Sequence, residues 1–106
     1  MSLYVVFGTT ADLQDVIVAL ERTLGASMVL HSSLYWGDYA GWHGDDGEAI
    51  SVKPNDPGDG ELQEPQHPEY PTLVYFDRSD RVRDLVTSLL PLRLEQIRLD
   101  RIPPSN

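Results

Sequence analysis

The chain has no cysteine, few basic residues and no long apolar run, and each absence excludes a class of protein. Without cysteine there can be no disulfide framework, no thiol nucleophile and no cysteine-ligated zinc. No apolar run approaches the ~18–20 residues that a transmembrane helix requires. The N-terminus also lacks the basic region and the small-residue cleavage site of a signal peptide. We therefore expect a cytoplasmic protein that binds no membrane.

The motifs of common catalytic and phosphate-binding sites are missing as well. There is no G-x-S-x-G, no G-x-x-x-x-G-K-[ST] and no G-x-G-x-x-G. His43 is followed by Asp45 and Asp46, which could add oxygen ligands to a metal, but the helical i,i+4 spacing typical of zinc sites is absent. His31 alternates with apolar residues, which predicts a packed histidine. We therefore predict no catalytic residues, no cofactor and no metal.

The negative charge is concentrated in one part of the chain. The sequence contains 17 acidic residues against 8 lysines and arginines, for a net charge of −9. Nine of the acids and only one base, Lys53, lie between residues 38 and 69, so this stretch alone carries −8. Such a surface repels nucleic acid and anionic membranes and attracts a basic protein at long range. A purely solubilising role is the alternative interpretation.

Two similar phrases frame this acidic stretch: "YVVFGTTADLQDVIVAL" near the start and "LVYFDRSDRVRDLVTSL" about 70 residues later. Each begins with the β-branched and aromatic residues typical of a buried strand. Each then continues with apolar residues at helical spacing. Aligning Phe7 with Phe76 superimposes the two stripes, which are Leu13, Val16, Ile17 and Leu20 in the first copy and Val82, Leu85, Val86 and Leu89 in the second.

The boundaries of the two predicted helices follow from local signals. Gly25 lies where a left-handed C-terminal cap would fall. Ser79 is the predicted N-cap of the second helix, and Pro91 is predicted to end it. A strand-like run follows each helix, "SMVLHSSLYW" after the first and "LRLEQIRL" after the second. The predicted unit is therefore strand–helix–strand, and it occurs twice.

We predict one α+β domain over residues 1–106, a two-layer sandwich that is ferredoxin-like or a variant, with both helices on one side of the sheet. The first unit covers residues 3–34, the second covers 72–100, and a middle segment covers 35–71. Within the middle segment we expect an extra β-hairpin with a turn at 44–47. A long acidic loop follows, "PNDPGDGELQEPQHPEYP", with five prolines in 18 residues.

The middle segment also holds the residues that we predict to bind a partner. In the stretch "LYWGDYAGWHGDD", strand alternation places Trp36, Asp38, Ala40 and Trp42 on one face, and aromatic residues on the other as well. At most one face can enter the core, so the other is exposed, covers the loop or contacts a partner. Aromatic residues beside carboxylates are typical of protein interfaces. The predicted partner-binding residues are Trp36, Asp38, Tyr39, Trp42, Asp45, Asp46 and Glu48.

These features favour a non-enzymatic protein-binding domain. Size, acidity and lack of catalytic motifs are typical of a bacterial immunity protein, which inhibits a basic toxin, such as a nuclease, by covering its active site. The similarity is one of class and not of motif. The alternative is a small-molecule-sensing or regulatory α+β domain, for which a homodimer is possible. An enzyme of unrecognised type is the third hypothesis. For the first hypothesis, neutralising Asp45, Asp46 and Glu48 should slow association and leave stability almost unchanged.

Overall fold

Six strands rich in β-branched and aromatic residues form one antiparallel sheet, accompanied by two α-helices, in the computed structural model. The structure describes residues 2–33, 37–58 and 60–102. The α+β class predicted from the sequence is therefore confirmed. The elements are β1 (Ser2–Thr9), α1 (Leu13–Leu24), β2 (Val29–Ser33), β3 (Gly37–His43), β4 (Ala49–Pro54), β5 (Thr72–Ser79), α2 (Val82–Ser88), a 3₁₀ turn (Leu90–Leu92) and β6 (Glu95–Ile102).

The strands are ordered β2-β3-β4-β5-β1-β6, and every neighbouring pair is antiparallel. The two repeated phrases meet at the β1–β5 pair, where Val5 lies opposite Phe76 and Phe7 opposite Val74. Strands β3 and β4 lie between β2 and β5, so the middle segment supplies interior strands of the sheet. They form an antiparallel hairpin whose turn is closed by a 2.7 Å hydrogen bond from the Gly44 N–H to the Glu48 carbonyl.

Both helices cover the same face of the sheet, because their buried side chains belong to one apolar cluster. Within the described ranges, neither helix is long and apolar enough to cross a bilayer.

The predicted stripes of the two phrases face this apolar cluster, and Val86 packs against it while partly exposed. The fully or nearly fully buried members are Val16, Ile17 and Leu20 of α1, Val82, Leu85 and Leu89 in and after α2, and Val5, Phe7, Met28, Ala40, Ile50, Val52, Val74 and Phe76 beneath them.

The predicted helix ends are partly confirmed. Gly25 adopts the left-handed conformation, with φ 65°, and its N–H donates to the Glu21 carbonyl at 2.9 Å. The prediction that Ser79 caps α2 is wrong, because the N-cap residue is Arg81 and it makes no side-chain cap. Ser79 ends β5, and its hydroxyl donates to the Glu48 carboxylate instead. The Ser79 hydroxyl thus binds a tertiary partner, and it also accepts a longer hydrogen bond of 3.4 Å from the Arg81 N–H.

Part of the opposite face of the sheet, near β1 and β5, packs against residues 55–71, which we call the proline-rich segment. Its described residues, 55–58 and 60–71, contain no helix or strand. A second apolar cluster forms there from Val6, Leu73 and Tyr75, with Tyr70 of the segment packed against it. Gly8 is needed for this contact, since a Cβ atom at that position would lie 2.4 Å from the Tyr70 ring. The sheet is therefore buried on both faces near β1 and β5.

Candidate functional site

The turn between β3 and β4 and the start of α2 together form an open cleft of about 620 Å³ at one end of the sheet. We call it the acidic cleft. It gathers residues far apart in the sequence because β4 pairs with β5, which leads directly into α2. The lining residues are Trp42, His43, Gly44, Asp45, Asp46, Glu48, Asp80 and Arg81.

Glu48 forms the buried base of the acidic cleft. The residue is only 5% exposed, and its carboxylate accepts hydrogen bonds from Arg81 Nη2 at 2.7 Å and from the Ser79 hydroxyl at 2.6 Å. Arg81 Nε adds contacts of 3.1 Å to both carboxylate oxygens. The Arg81 hydrogen bonds hold the pKa of Glu48 below its usual range, against the effect of burial. This charge-assisted network joins the hairpin to the start of α2.

The expectation that neutralising Glu48 leaves stability almost unchanged assumed an exposed carboxylate, and the burial of Glu48 contradicts that assumption. We predict that Glu48→Gln lowers the free energy of unfolding by about 1–3 kcal/mol at pH 7, less than for a fully buried pair because Arg81 is partly exposed. Asp45→Asn, on the exposed turn, should change it by less than about 0.5 kcal/mol. Urea denaturation of the three proteins measures both values.

The pH dependence gives an independent check on Glu48. Its pKa is lowered in the folded state, so its stabilising effect is complete above the unfolded-state pKa of about 4.3. It is lost as the pH falls through the lower folded-state value. The stability difference between wild type and Glu48→Gln should thus shrink between pH 5 and pH 3. A difference that stays constant over this range would contradict the ion-pair assignment.

The remaining acids of the cleft are exposed to solvent. Asp45, Asp46 and Asp80 are exposed, and the two turn residues extend beyond the last strand pairing. Trp42 lies beneath the Arg81 guanidinium, which is 5.6 Å from its ring centroid, and it also packs against the core. The face of β3 that carries Ala40 and Trp42 is thus the core face.

The other predicted site residues lie away from the cleft. Asp38 lies near the start of β3, at the end of this strand opposite the turn. At ~3.3 Å per residue, it is on the order of 20 Å from the turn. Its carboxylate accepts a 2.8 Å hydrogen bond from the Ser32 hydroxyl. Tyr39 lies on the opposite face and stacks on His31 at 5.0 Å between ring centroids. Trp36 lies outside the described residues. The structure thus brings Trp42, Asp45, Asp46 and Glu48 together, but not Asp38 or Tyr39.

The environment of one residue differs from the sequence-based prediction, and the role of a second residue was not predicted. His31 was predicted to be packed, but it is exposed because β2 is an edge strand with few neighbours. Arg81 was not among the predicted site residues, although it is the direct partner of Glu48. The sequence signal for Arg81 was weak, since 33 residues separate it from that partner.

Lys53 is a third charged group with an unusual environment. Its ammonium nitrogen lies 4.7 Å from the Tyr75 ring centroid and 5.6 Å from that of Tyr39, and burial lowers its pKa. Contacts of this kind stabilise a cation over aromatic rings. We therefore assign Lys53 to the packing of the helix-free face.

Among the residues that the structure describes, no three His, Asp or Glu side chains converge as a metal site would require. No protein-family model matches the chain, and no curated protein shows significant similarity to it.

Proposed function

We propose that this chain is a non-enzymatic protein-binding domain that covers a basic partner with its acidic cleft. A bacterial immunity-type inhibitor of a toxin or nuclease is the specific form we favour, acting in the cytoplasm. One observation carries the proposal: Asp45, Asp46 and Asp80 are exposed around a concave surface, while the guanidinium of Arg81 in that surface is already paired with Glu48. The cleft therefore presents a net negative charge to a partner.

Electrostatics and packing would have separate roles at such an interface. Exposed carboxylates steer a basic protein during diffusional encounter, and this effect is screened beyond about 8–10 Å at physiological salt. Partly buried aromatic residues determine how long the complex lasts. In the acidic cleft the first role falls to Asp45 and Asp46, and the second to Trp42.

The decisive experiment is capture of a partner from the native host, or of the product of the adjacent upstream gene, followed by binding kinetics. The double variant Asp45→Asn/Asp46→Asn should slow association and flatten its salt dependence. Trp42→Ala should mainly speed dissociation, by about 30-fold, corresponding to ~2 kcal/mol for an interface anchor. Tyr39→Ala should act in the same direction if the interface extends along β3.

Controls separate binding from folding. Trp42 packs against the core, so Trp42→Ala is compared only after circular dichroism shows a folded protein. Asp84→Asn removes an exposed acid from α2 outside the cleft and should leave the kinetics unchanged. If a basic partner binds the cleft variants with the same kinetics as wild type, the binding site lies outside the cleft. Capture of a partner without a basic surface would refute the proposal.

The alternative is a small-molecule-sensing domain, and one feature favours it. An apolar recess of about 390 Å³ lies between α2 and the β1–β6 pair, lined chiefly by Val5, Phe7, Val82, Val86 and Leu99. It exists because α2 has only 7 residues and leaves this part of the sheet uncovered. Failure to capture any protein, combined with a metabolite that raises the melting temperature, would support this function.

We also infer that the two repeated phrases are a duplicated strand–helix–strand unit of ferredoxin-like type. Supporting this, β1 and β5 pair symmetrically about the contact of Phe7 with Phe76, whose rings meet edge to face at 5.6 Å. The two copies then differ in one respect: β6 pairs directly with β1, whereas β3 and β4 separate β2 from β5. The middle segment would thus be an insertion between the two copies, in the sequence as in the sheet.

A further inference from the structure

The edge strand β2, with the sequence Val-Leu-His-Ser-Ser, exposes both of its apolar residues. It pairs with β3 alone among the described residues, and four successive residues, 29–32, are exposed. Val29 is 59% and Leu30 73% exposed. The other edge strand, β6, carries four charged residues, whereas β2 carries no acid, lysine or arginine. Charges on an edge strand prevent unwanted pairing, so β2 lacks the protection that β6 has.

A groove accompanies this edge on the helix-covered side. Leu30 lies opposite Ala40, a core residue, so its side chain projects to the same side as α1. Between α1 and the β2–β3 pair is a groove of about 450 Å³, to which Leu13, Ile17 and Leu30 contribute apolar surface. Asp38 lies in the same groove and is held in position by Ser32.

We propose that β2 receives an extended, basic segment of another protein as an additional antiparallel or parallel strand. Main-chain hydrogen bonds to the free edge would give affinity, and alternate side chains of the segment would enter the groove. An apolar side chain would contact Leu30, and a lysine or arginine would pair with Asp38. This inference rests on the proposed function, because it states how the basic partner of that function would attach to the chain.

Charge favours a basic segment over a second copy of this chain. Residues 38–69 carry −8, and two copies joined at β2 would bring these charges together. The β2 strand of a second copy also offers no lysine or arginine to pair with Asp38. A segment rich in Lys or Arg and in β-branched residues meets both requirements, since it would be attracted at long range and would extend readily.

The test uses a displayed library of random ten-residue peptides, selected against the full chain, so it does not depend on the natural partner. Selected peptides should alternate basic and β-branched residues. Leu30→Lys should weaken their binding by about tenfold or more, equal to ~1.4 kcal/mol, and Asp38→Asn by about threefold to tenfold with a flatter salt dependence. Hydrogen exchange should show new protection of amides within residues 29–33.

Matched controls use residues outside the groove. Leu90 is 65% exposed in the 3₁₀ turn, and Leu90→Lys should leave peptide binding within about twofold of wild type, as should Asp84→Asn. Selection of peptides without basic residues, or protection of another segment, would overturn the proposal. So would a concentration-dependent dimer that Leu30→Lys abolishes, because the occupant would then be a second copy.

The outcome is separable from that of the proposed function. Capture of a basic partner that is sensitive to Asp45 and Asp46 but leaves the β2 amides unprotected would refute strand addition while the protein-binding function stands. The opposite outcome is that peptides bind β2 as expected, while variants of the acidic cleft do not change the binding of a captured partner. This result would refute the role of the cleft and leave strand addition standing.

Discussion

Replacing Leu20 by alanine should lower the free energy of unfolding by about 2–5 kcal/mol, the largest single effect that we expect. Leu20 is completely buried in α1 and belongs to the cluster that joins both helices to the sheet. Its removal leaves a cavity that strands β4 and β5 cannot fill without distorting their paired backbones. Urea denaturation followed by tryptophan fluorescence measures the change.

Leu90→Ala is the matched control, because it deletes the same atoms from a leucine that is 65% exposed. It should cost less than about 0.5 kcal/mol, since little apolar surface is lost there. Equal effects of the two substitutions would show that α1 does not pack on the sheet as described. The total free energy of unfolding of a typical domain is about 5–15 kcal/mol, so the free energy lost in Leu20→Ala is a large fraction of it.

The elements that could be predicted from the sequence are those with a strong local pattern. Both helical stripes, the β-branched strands and the Gly25 cap depend on residues within a few positions of one another. Periodicity identifies which side of such an element is apolar, and therefore which side is buried. The two repeated phrases strengthened this inference, because each independently predicted a strand followed by a helix.

Side-chain pairings between distant elements could not be predicted in the same way. Glu48 and Arg81 are both charged residues in polar stretches, so each alone indicates a solvated surface. Only the β4–β5 pairing brings β4 and its preceding turn beside the start of α2, and that pairing is not encoded in any short motif. The same contact explains why the Ser79 hydroxyl donates to Glu48, a partner that the local capping pattern does not indicate.

The candidate site was therefore predicted by region but not by the role of each residue. Composition identified the acidic turn, and Asp45 and Asp46 are indeed exposed there. It could not separate them from Glu48, which differs only in being followed by the strand that enters the core. Exposure and pairing, rather than residue type, decide whether a carboxylate can attract a partner or instead stabilises the fold.

The proline-rich segment depends on a residue that sequence reasoning overlooked, Asn55. This side chain is 1% exposed, and its amide nitrogen donates to the carbonyls of His67 at 3.0 Å and Tyr70 at 2.9 Å. Its amide oxygen accepts from the Glu64 N–H at 2.9 Å. Three hydrogen bonds from one buried side chain thus hold a segment that has no strand or helix of its own in its described residues.

We expect Asn55→Ala to destabilise the protein by about 2–4 kcal/mol, because the Tyr70 carbonyl and the Glu64 N–H lose their Asn55 partner in a buried site. The His67 carbonyl would keep only the 3.3 Å hydrogen bond from the Tyr70 N–H. Amides of residues 60–70 should exchange faster with solvent, and Tyr70 should separate from the second apolar cluster. The adjacent exposed Asp56 provides the control: Asp56→Ala removes an acceptor for the Gly58 N–H and should cost less than about 0.5 kcal/mol. If Asn55→Ala left stability and exchange unchanged, the segment would be held by its other contacts, which are its backbone hydrogen bonds, the Arg98–Glu64 ion pair and the packing of Tyr70.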